Sequence, residues 1–234
     1  GAERGLQRIR VEHRRGVVHR RIAEVGRERV GALRVEDRPQ AALDGVEGLV
    51  PARRLVLAVA PNLRRAQAIR VGVVWSSEAH AGDNRPVEDR HRTCPFPHVL
   101  ELAGIPGVTL YSLQRGEAAG DLGRHAAEAL MLDVGGLMAD YADAAAAVAR
   151  LDLVVGVDVP MIHLAGALGV PTWTLLSGIG DWRWGAAGET TPWYPTMRLL
   201  RQKTRGDWAG LLAAARDALA RAVREGGLGR ARRT

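Results

Sequence analysis

From residue 71 onward, short apolar runs alternate with longer segments of mixed character. The runs are rich in Val, Leu and Ile and are bounded by turn residues, which is typical of buried β-strands. They predict strands at 71–75, 108–113, 130–134, 152–157, 171–176 and 197–201. The segments between them predict helices at 95–103, 117–129, 140–150, 160–168 and 207–224. We therefore predict an α/β fold.

Regular alternation of strands and helices over short loops predicts a Rossmann-like parallel sheet with helices on both faces. Sheets of this kind bind ligands at the carboxyl ends of their strands. The positions that follow the strands include Ser76, Ser112, Asp158 and Ser177. The strand-to-helix junctions contain neither GxGxxG nor GxxxxGK[ST], so ordinary NAD-binding and P-loop functions are disfavoured.

Residues 1–70 differ in composition from the rest. They contain no Ser, Thr, Lys, Cys or Met, and all ten aromatic residues of the chain follow residue 70. Either this is an Arg-rich helical arm, or it is a poorly defined stretch read in a wrong frame, in which case we expect the chain to be a fragment. The predicted organisation is this segment, an α/β domain over 71–225, and a basic tail over 226–234.

The net charge of +7 is unevenly distributed. Residues 1–70 hold 16 Arg against 8 acidic residues, whereas residues 71–215 hold 11 basic against 16 acidic residues. Because no nucleic-acid-reading motif accompanies the arginines, we expect no nucleic-acid partner. The single cysteine excludes an internal disulfide. No apolar run is long enough for a transmembrane segment and no signal peptide is visible, so we expect a cytoplasmic protein.

The segment 151–171 carries the most chemical information. A buried strand ends at Asp158, and a helix begins within two residues. Free N–H groups at a helix start, next to the end of a strand, can hold a diphosphate without a Gly-rich loop. The alternative is that Asp158 is a simple N-cap and His163 a buried, hydrogen-bonded core residue.

Several blocks of this sequence, in order and over about 150 residues, resemble the C-terminal half of tetratricopeptide-repeat-linked bacterial glycosyltransferases. These are similar to heptosyltransferases and, more distantly, to O-linked N-acetylglucosamine transferases. The blocks are Val71-Gly-Val-Val-Trp75, His91-Arg-Thr-Cys-Pro95, Ser112-Leu-Gln-Arg-Gly116, Asp140-Tyr-Ala-Asp-Ala144, the segment 151–171, Asp181-Trp-Arg-Trp184, Pro192-Trp-Tyr-Pro195 with Met197-Arg198, and Arg201-Gln202 with Gly206-Asp-Trp208.

The resemblance implies the donor-binding half of a GT-B glycosyltransferase. Such an enzyme moves a sugar from a nucleotide-diphosphate sugar, its substrate, to a protein or glycan acceptor, with no further cofactor and no metal. Arg92 and Thr93 would then contact the diphosphate. The residues after the second strand would contact the nucleotide. The residues expected to bind the donor are Arg92, Thr93, Ser112, Gln114, Arg115, Asp158, Met161, Ile162, His163, Leu164 and Arg183.

The same resemblance implies that a catalytic base lies largely on the other domain, so none is named here. The face that would meet that domain is expected to be apolar, and self-association is expected from it.

Trp182 and Trp184 either stack on a ligand ring or pack in the structure. The family usually has a small hydroxyl residue where this chain has Val159. The valine cannot make the hydrogen bond to phosphate that a hydroxyl could make. A competing hypothesis is a truncated, catalytically silent domain that binds nucleotide or fills an interface.

Overall fold

The computed structural model of this chain describes residues 68–77, 92–178 and 181–226. All of these lie within one compact unit, Gly48–Thr234. The Arg-rich segment up to residue 67, most of the loop after the first strand with His80 and His91, and the basic tail from residue 227 lie outside the described residues.

Six strands form one sheet in which every neighbouring pair is parallel. Their order across the sheet is β3-β2-β1-β4-β5-β6. The predicted parallel α/β fold is confirmed. The strands are β1 (Ile69–Val74), β2 (Val108–Ser112), β3 (Met131–Asp133), β4 (Leu153–Val157), β5 (Thr172–Leu176) and β6 (Met197–Arg201).

Five α-helices and four 3₁₀ turns connect or follow the strands in the described part of the chain. The helices are α1 (Phe96–Leu100), α2 (Asp121–Arg124), α3 (Tyr141–Val148), α4 (Pro160–Ala167) and α5 (Trp208–Glu225). The turns are Glu101–Gly104, Glu117–Gly120, Gly135–Leu137 and Trp182–Trp184.

The prediction of one long helix over 117–129 is wrong. A 3₁₀ turn and the four-residue helix α2 stand there instead. Gly120 and Gly123 weaken the helix because glycine loses the most backbone entropy on ordering. Ala126 then adopts a left-handed conformation, with φ of 49°, which a continuing helix does not allow.

The core lies around the central strands, and helices α3 and α5 each begin after a capping aspartate, Asp140 and Asp207. All five residues of β4 and of β5 are buried, as expected of parallel strands covered on both faces. The Asp140 side chain accepts from the backbone N–H groups of Ala142 and Asp143 and so caps α3. Helix α5 ends at Gly226 in the left-handed conformation.

The chain reverses its direction of travel across the sheet between β1 and β4. Strands β1, β2 and β3 progress to one edge, and β4, β5 and β6 progress to the other. Because crossovers between parallel strands are right-handed, this reversal sends the two sets of helices to opposite faces. Helix α3 packs against α4, whereas α5, which follows the last strand, packs against α1.

Gly156 sets how closely β4 approaches its neighbours. A Cβ at this position would lie 2.5 Å from the carbonyl oxygen of Val74 and 3.1 Å from Cδ1 of Ile162. The first contact is with backbone of β1 and the second with a core side chain of α4. The absence of a side chain therefore lets β4 fit between β1 and α4.

We predict that Gly156→Ala lowers the free energy of unfolding by about 3 kcal/mol, because a methyl group there must displace backbone. Urea unfolding monitored by circular dichroism measures this. Gly104→Ala is the matched control: a Cβ there has nothing within 4 Å, so its stability should be unchanged or slightly higher. Equal stability of both variants would contradict the close approach at Gly156.

Candidate functional site

The reversal between β1 and β4 marks the position at the carboxyl edge of the sheet where open α/β sheets form a ligand-binding crevice. Three chain segments meet there. The end of β1 leads to Trp75 and Ser76, the end of β2 leads to Gln114, and the end of β4 leads to Asp158. Each of these segments carries or leads to residues that the sequence predicts to bind the donor.

Gln114 joins the ends of β1 and β2. Its buried side-chain oxygen accepts from the backbone N–H groups of Trp75, at 3.0 Å, and Ser76, at 2.9 Å. Its amide nitrogen donates to the carbonyls of Ser76 and Arg115. The four bonds use both ends of the amide to fix the two loops. A direct contact between Gln114 and a nucleotide stays a prediction.

The other residues after β2 divide into one buried and one exposed side chain. Ser112 is fully buried, and its hydroxyl oxygen lies 3.3 Å from the N–H of Gln114, from which it accepts. Arg115 is exposed at the edge of the sheet. Of these two, Arg115 is therefore the side chain with room to meet a ligand.

Asp158 is the centre of the polar cluster at the end of β4. Its buried carboxylate lies 3.3 Å from Nε2 of His163 and 3.7 Å from Nη1 of Arg92. The N-cap of α4 is Val159, which has no side-chain cap bond, so the alternative that Asp158 is a simple N-cap is wrong. The structure therefore brings together Arg92, Asp158 and His163.

Opposing effects set the pKa of Asp158. Burial alone would raise it. The hydrogen bond with His163, the nearby Trp184 indole N–H and the Arg92 charge together outweigh burial, so the pKa lies below its usual range. The Trp184 N–H is buried and acts here through proximity, without the geometry of a hydrogen bond. Asp158 is consequently a charged acceptor at neutral pH.

Three side chains contact the imidazole of His163. A carboxylate only accepts, so Nε2 of His163 donates to Asp158, and in the tautomer that carries its proton on Nε2 the Nδ1 atom accepts from the Tyr194 hydroxyl at 3.1 Å. The imidazole also stacks on Trp184, with ring centroids 5.1 Å apart and planes inclined by 23°. His163 remains partly exposed, unlike the fully buried residue of the alternative hypothesis.

Tyr194 is a partner of His163 that the sequence analysis did not find. Its ring lies against α4 at Gly166, where a Cβ would come within 2.6 Å of it. Burial raises the pKa of Tyr194, the Arg183 charge lowers it, and the Asp158 charge raises it, for a net increase. The available signal was the Pro192-Trp-Tyr-Pro195 turn, whose spacing alone does not indicate a histidine partner.

Arg92 and Thr93 lie on the segment that enters α1. The hydroxyls of Thr93 and Ser76 are 3.3 Å apart, and the N–H of Cys94 donates to the carbonyl of Trp75. These bonds tie this segment to the end of β1. They place Arg92 on the β1 side of the crevice, facing Asp158 on the β4 side.

The start of α4 offers backbone rather than side chains to a ligand. Ile162 and Leu164 are buried in the core, and Met161 is half-buried. Pro160 has no N–H, and the N–H of Ile162 bonds to the carbonyl of Val159. The diphosphate contact predicted for 161–164 stays a prediction, and for Ile162 and Leu164 it would involve the main chain.

Arg183 lies in the turn after β5. Its guanidinium is 2.9 Å from the carboxylate of Asp181, which also accepts from the Arg183 backbone N–H. The two tryptophans beside it differ: Trp184 is buried and Trp182 is exposed. Trp208 is also buried, whereas Trp193 of the Pro-Trp-Tyr-Pro turn is exposed.

Two further expectations concern metals and membranes. Among residues 68–77, 92–178 and 181–226, no three His, Cys, Asp or Glu side chains are grouped so that they could hold a metal ion. No helix within those ranges is both long and apolar enough to cross a membrane.

Comparison with known proteins gives a sequence relative and several structural neighbours. No protein-family model matches the chain. Protein FlbA of Caulobacter vibrioides is 32% identical over 157 residues, which cover 64% of this chain and 25% of FlbA. The chain therefore spans about a quarter of the length of this relative.

Two solved structures share the fold. A glycosyl transferase family 9 protein from Veillonella parvula aligns with a TM-score of 0.52 at 14% identity, covering 75% of this chain and 51% of that one. The ADP-heptose lipopolysaccharide heptosyltransferase II of Escherichia coli aligns with a TM-score of 0.50 at 18% identity, covering 81% of this chain and 56% of that one. The chain thus has a Rossmann-like fold that corresponds to about half of each of these structures.

We predict that Gln114→Ala lowers the free energy of unfolding by about 3 kcal/mol, because it leaves the N–H groups of Trp75 and Ser76 without their acceptor. Chemical denaturation measures this. Ser112→Ala, which removes one long hydrogen bond, should cost at most about 1 kcal/mol. A Gln114 variant as stable as the Ser112 variant would show that the amide does not fix the two loops.

The contribution of Asp158 to the free energy of unfolding should depend on pH in the acid range. A carboxyl whose folded pKa is lowered stabilises the fold fully above its unfolded pKa, about 3.9, and this contribution disappears as the pH falls through the folded pKa. The stability advantage of the parent over Asp158→Asn should therefore shrink as the pH falls below about 4. Urea unfolding from pH 6 to pH 3 tests it.

The exposed Asp217 on α5 supplies the control for this experiment. Asp217→Asn should differ from the parent by a small amount that hardly changes with pH. The lowered pKa would be contradicted if the difference in the free energy of unfolding between the parent and Asp158→Asn stayed constant or grew on acidification.

Proposed function

We propose that this chain is the donor-binding domain of a glycosyltransferase, and that its crevice binds a nucleotide-diphosphate sugar. The observation that carries the proposal is the cluster of Arg92, Asp158 and His163 where the sheet reverses direction, between β1 and β4. The fold shared with two glycosyltransferase structures supports it. The expected acceptor is a protein or a glycan.

The charges of the cluster suit different parts of the donor. Ionised Asp158 can only accept hydrogen bonds, so it cannot bond the oxygens of a diphosphate. Its partners are sugar hydroxyls, while the guanidinium of Arg92 meets the phosphate oxygens. At 3.7 Å from Asp158, Arg92 makes a long contact with it, and the pairing reduces the repulsion that the carboxylate would exert on the diphosphate.

The proposed orientation of the donor follows the strand order β2-β1-β4-β5. The nucleoside would lie toward the end of β2, where Arg115 is exposed and Ser112 and Gln114 shape the loop. The diphosphate would lie between β1 and β4, near Arg92, Thr93 and the start of α4. The sugar would then extend toward His163 and the turn after β5.

The proposed chemistry is loss of the nucleoside diphosphate as the leaving group. Arg92 and the N-terminal end of α4 would stabilise its growing negative charge without a metal. The acceptor must lose a proton, and we assign the base for that step to the other domain of a two-domain enzyme. Similarity to tetratricopeptide-repeat-linked transferases suggests that helical repeats accompany this domain in the whole protein.

Replacing Arg92 tests the proposal. Calorimetric titration with UDP, ADP and GDP should show binding of at least one of them by the parent chain. Arg92→Ala should weaken that binding by about 1.5–3 kcal/mol, the usual contribution of a charge-assisted hydrogen bond.

Arg224→Ala is the matched control, because Arg224 is exposed near the end of α5 and is not part of the polar cluster. It should leave the affinity unchanged. Binding to none of the three nucleotides would refute the proposed donor site. Equal affinities of the Arg92 and Arg224 variants would remove Arg92 from it.

A further inference from the structure

Two tryptophans beside the candidate site are exposed although they are firmly positioned. Trp182 is 71% exposed and Trp193 is 55% exposed, whereas Trp75, Trp173, Trp184 and Trp208 are buried. The rings of Trp182 and Trp193 are 6.3 Å apart, and their planes meet at 85°. We call these two residues the aromatic corner.

Polar contacts hold the corner in place. The indole N–H of Trp193 donates to the carbonyl of Arg183 at 3.0 Å. Asp181 binds both the backbone N–H and the guanidinium of Arg183, and that guanidinium lies 5.8 Å from the centre of the Trp182 ring. The turn is therefore fixed before any ligand arrives, so little ordering is needed when a ligand contacts the rings.

The corner is connected directly to the polar cluster. The residue after Arg183 is Trp184, which stacks on His163, and the residue after Trp193 is Tyr194, whose hydroxyl bonds to His163. Strand β5, which precedes the turn, lies on the opposite side of β4 from β1 and β2. A ligand whose nucleoside lies over β2 and whose diphosphate lies between β1 and β4 would therefore direct its sugar toward this corner.

Sugar rings suit this combination of groups. A sugar ring carries C–H groups on its faces, which pack on the electron-rich face of an indole, and hydroxyls around its rim. Asp181 can accept from such hydroxyls, and Arg183 can donate to them. Exposed aromatic surface next to charged, hydrogen-bonding groups thus matches a ligand with both kinds of surface.

We propose that Trp182 and Trp193, with Arg183 and Asp181, form the subsite for the sugar of the nucleotide-diphosphate sugar. This inference rests on the proposed donor-binding function and adds residues outside the cluster of Arg92, Asp158 and His163 to the sugar contact proposed there for Asp158. It implies that the sugar adds affinity beyond that of the nucleoside diphosphate, and that the indole rings supply that increment.

The test compares each nucleotide with its sugar derivative: UDP with UDP-glucose and UDP-N-acetylglucosamine, ADP with ADP-glucose and ADP-heptose, and GDP with GDP-mannose. Titrations use the full chain and the variants Trp182→Ala, Trp193→Ala and Trp182→Phe. For at least one pair, the sugar nucleotide should bind the parent more tightly. Each alanine variant should weaken its binding about fivefold to tenfold and change binding of the nucleoside diphosphate less than twofold.

Two controls separate stacking from loss of structure. Trp182→Phe keeps an aromatic face and should retain most of the sugar's contribution. Leu130→Ala removes a side chain that is 54% exposed, close to the value for Trp193, but precedes β3 at the amino edge of the sheet. It should leave both affinities unchanged. Thermal unfolding of each variant checks that the chain is folded.

The outcomes distinguish this inference from the proposed function. Binding of no nucleotide at all overturns both. Binding of a nucleoside diphosphate without any gain from its sugar, or a gain that survives in the alanine variants, overturns the sugar subsite alone and leaves the donor site standing. If the alanine variants bind the sugar nucleotide as the parent does but transfer its sugar to the acceptor more slowly in the complete enzyme, the aromatic corner contacts the acceptor. That result would also overturn the donor subsite.

Discussion

The pairing of the buried Asp158 carboxylate is the interaction on which the site depends. A charge buried at the end of a central strand is strongly unfavourable unless other charges and hydrogen-bond donors compensate it. Here Arg92 approaches from the β1 side and His163 from the first turn of α4. Tyr194 and Trp184 in turn fix the imidazole. Compensation of one carboxylate therefore brings side chains from three loops together at the carboxyl edge of the sheet.

The sheet topology determines what that crevice can bind. Because β1 and β4 are neighbours while the chain runs away from them in opposite directions, their following loops separate and leave an opening. Gln114 keeps the β1 and β2 loops at a fixed spacing, and Gly156 lets β4 lie close to both β1 and α4. The proposed ligand, a nucleotide-diphosphate sugar, is a long anion with polar groups at both ends, and we expect it to lie across the ends of β2, β1 and β4.

The sequence predicted the strands well because their apolar runs leave few alternatives: β2, β3, β4, β5 and β6 begin and end within one residue of the predicted bounds. It failed at 117–129, where glycines and a left-handed Ala126 override a helix-forming composition. Asp158, His163 and Arg92 were identified as candidates, but their pairing was not, since it joins residues 66 positions apart in the chain. Tyr194 and the exposed Trp193 depend on a turn whose tertiary position no local pattern encodes.

The central claim, that the carboxyl edge between β1 and β4 is a nucleotide-binding crevice, is tested most directly by amide NMR. The chain would be labelled with nitrogen-15 and titrated with UDP, ADP and GDP. We expect the largest shifts at Ser76, Arg92, Arg115 and the first turn of α4, with little change at the amino edge, for example at Ile69 and Leu130. An unchanged spectrum, or shifts concentrated at the amino edge, would contradict the account.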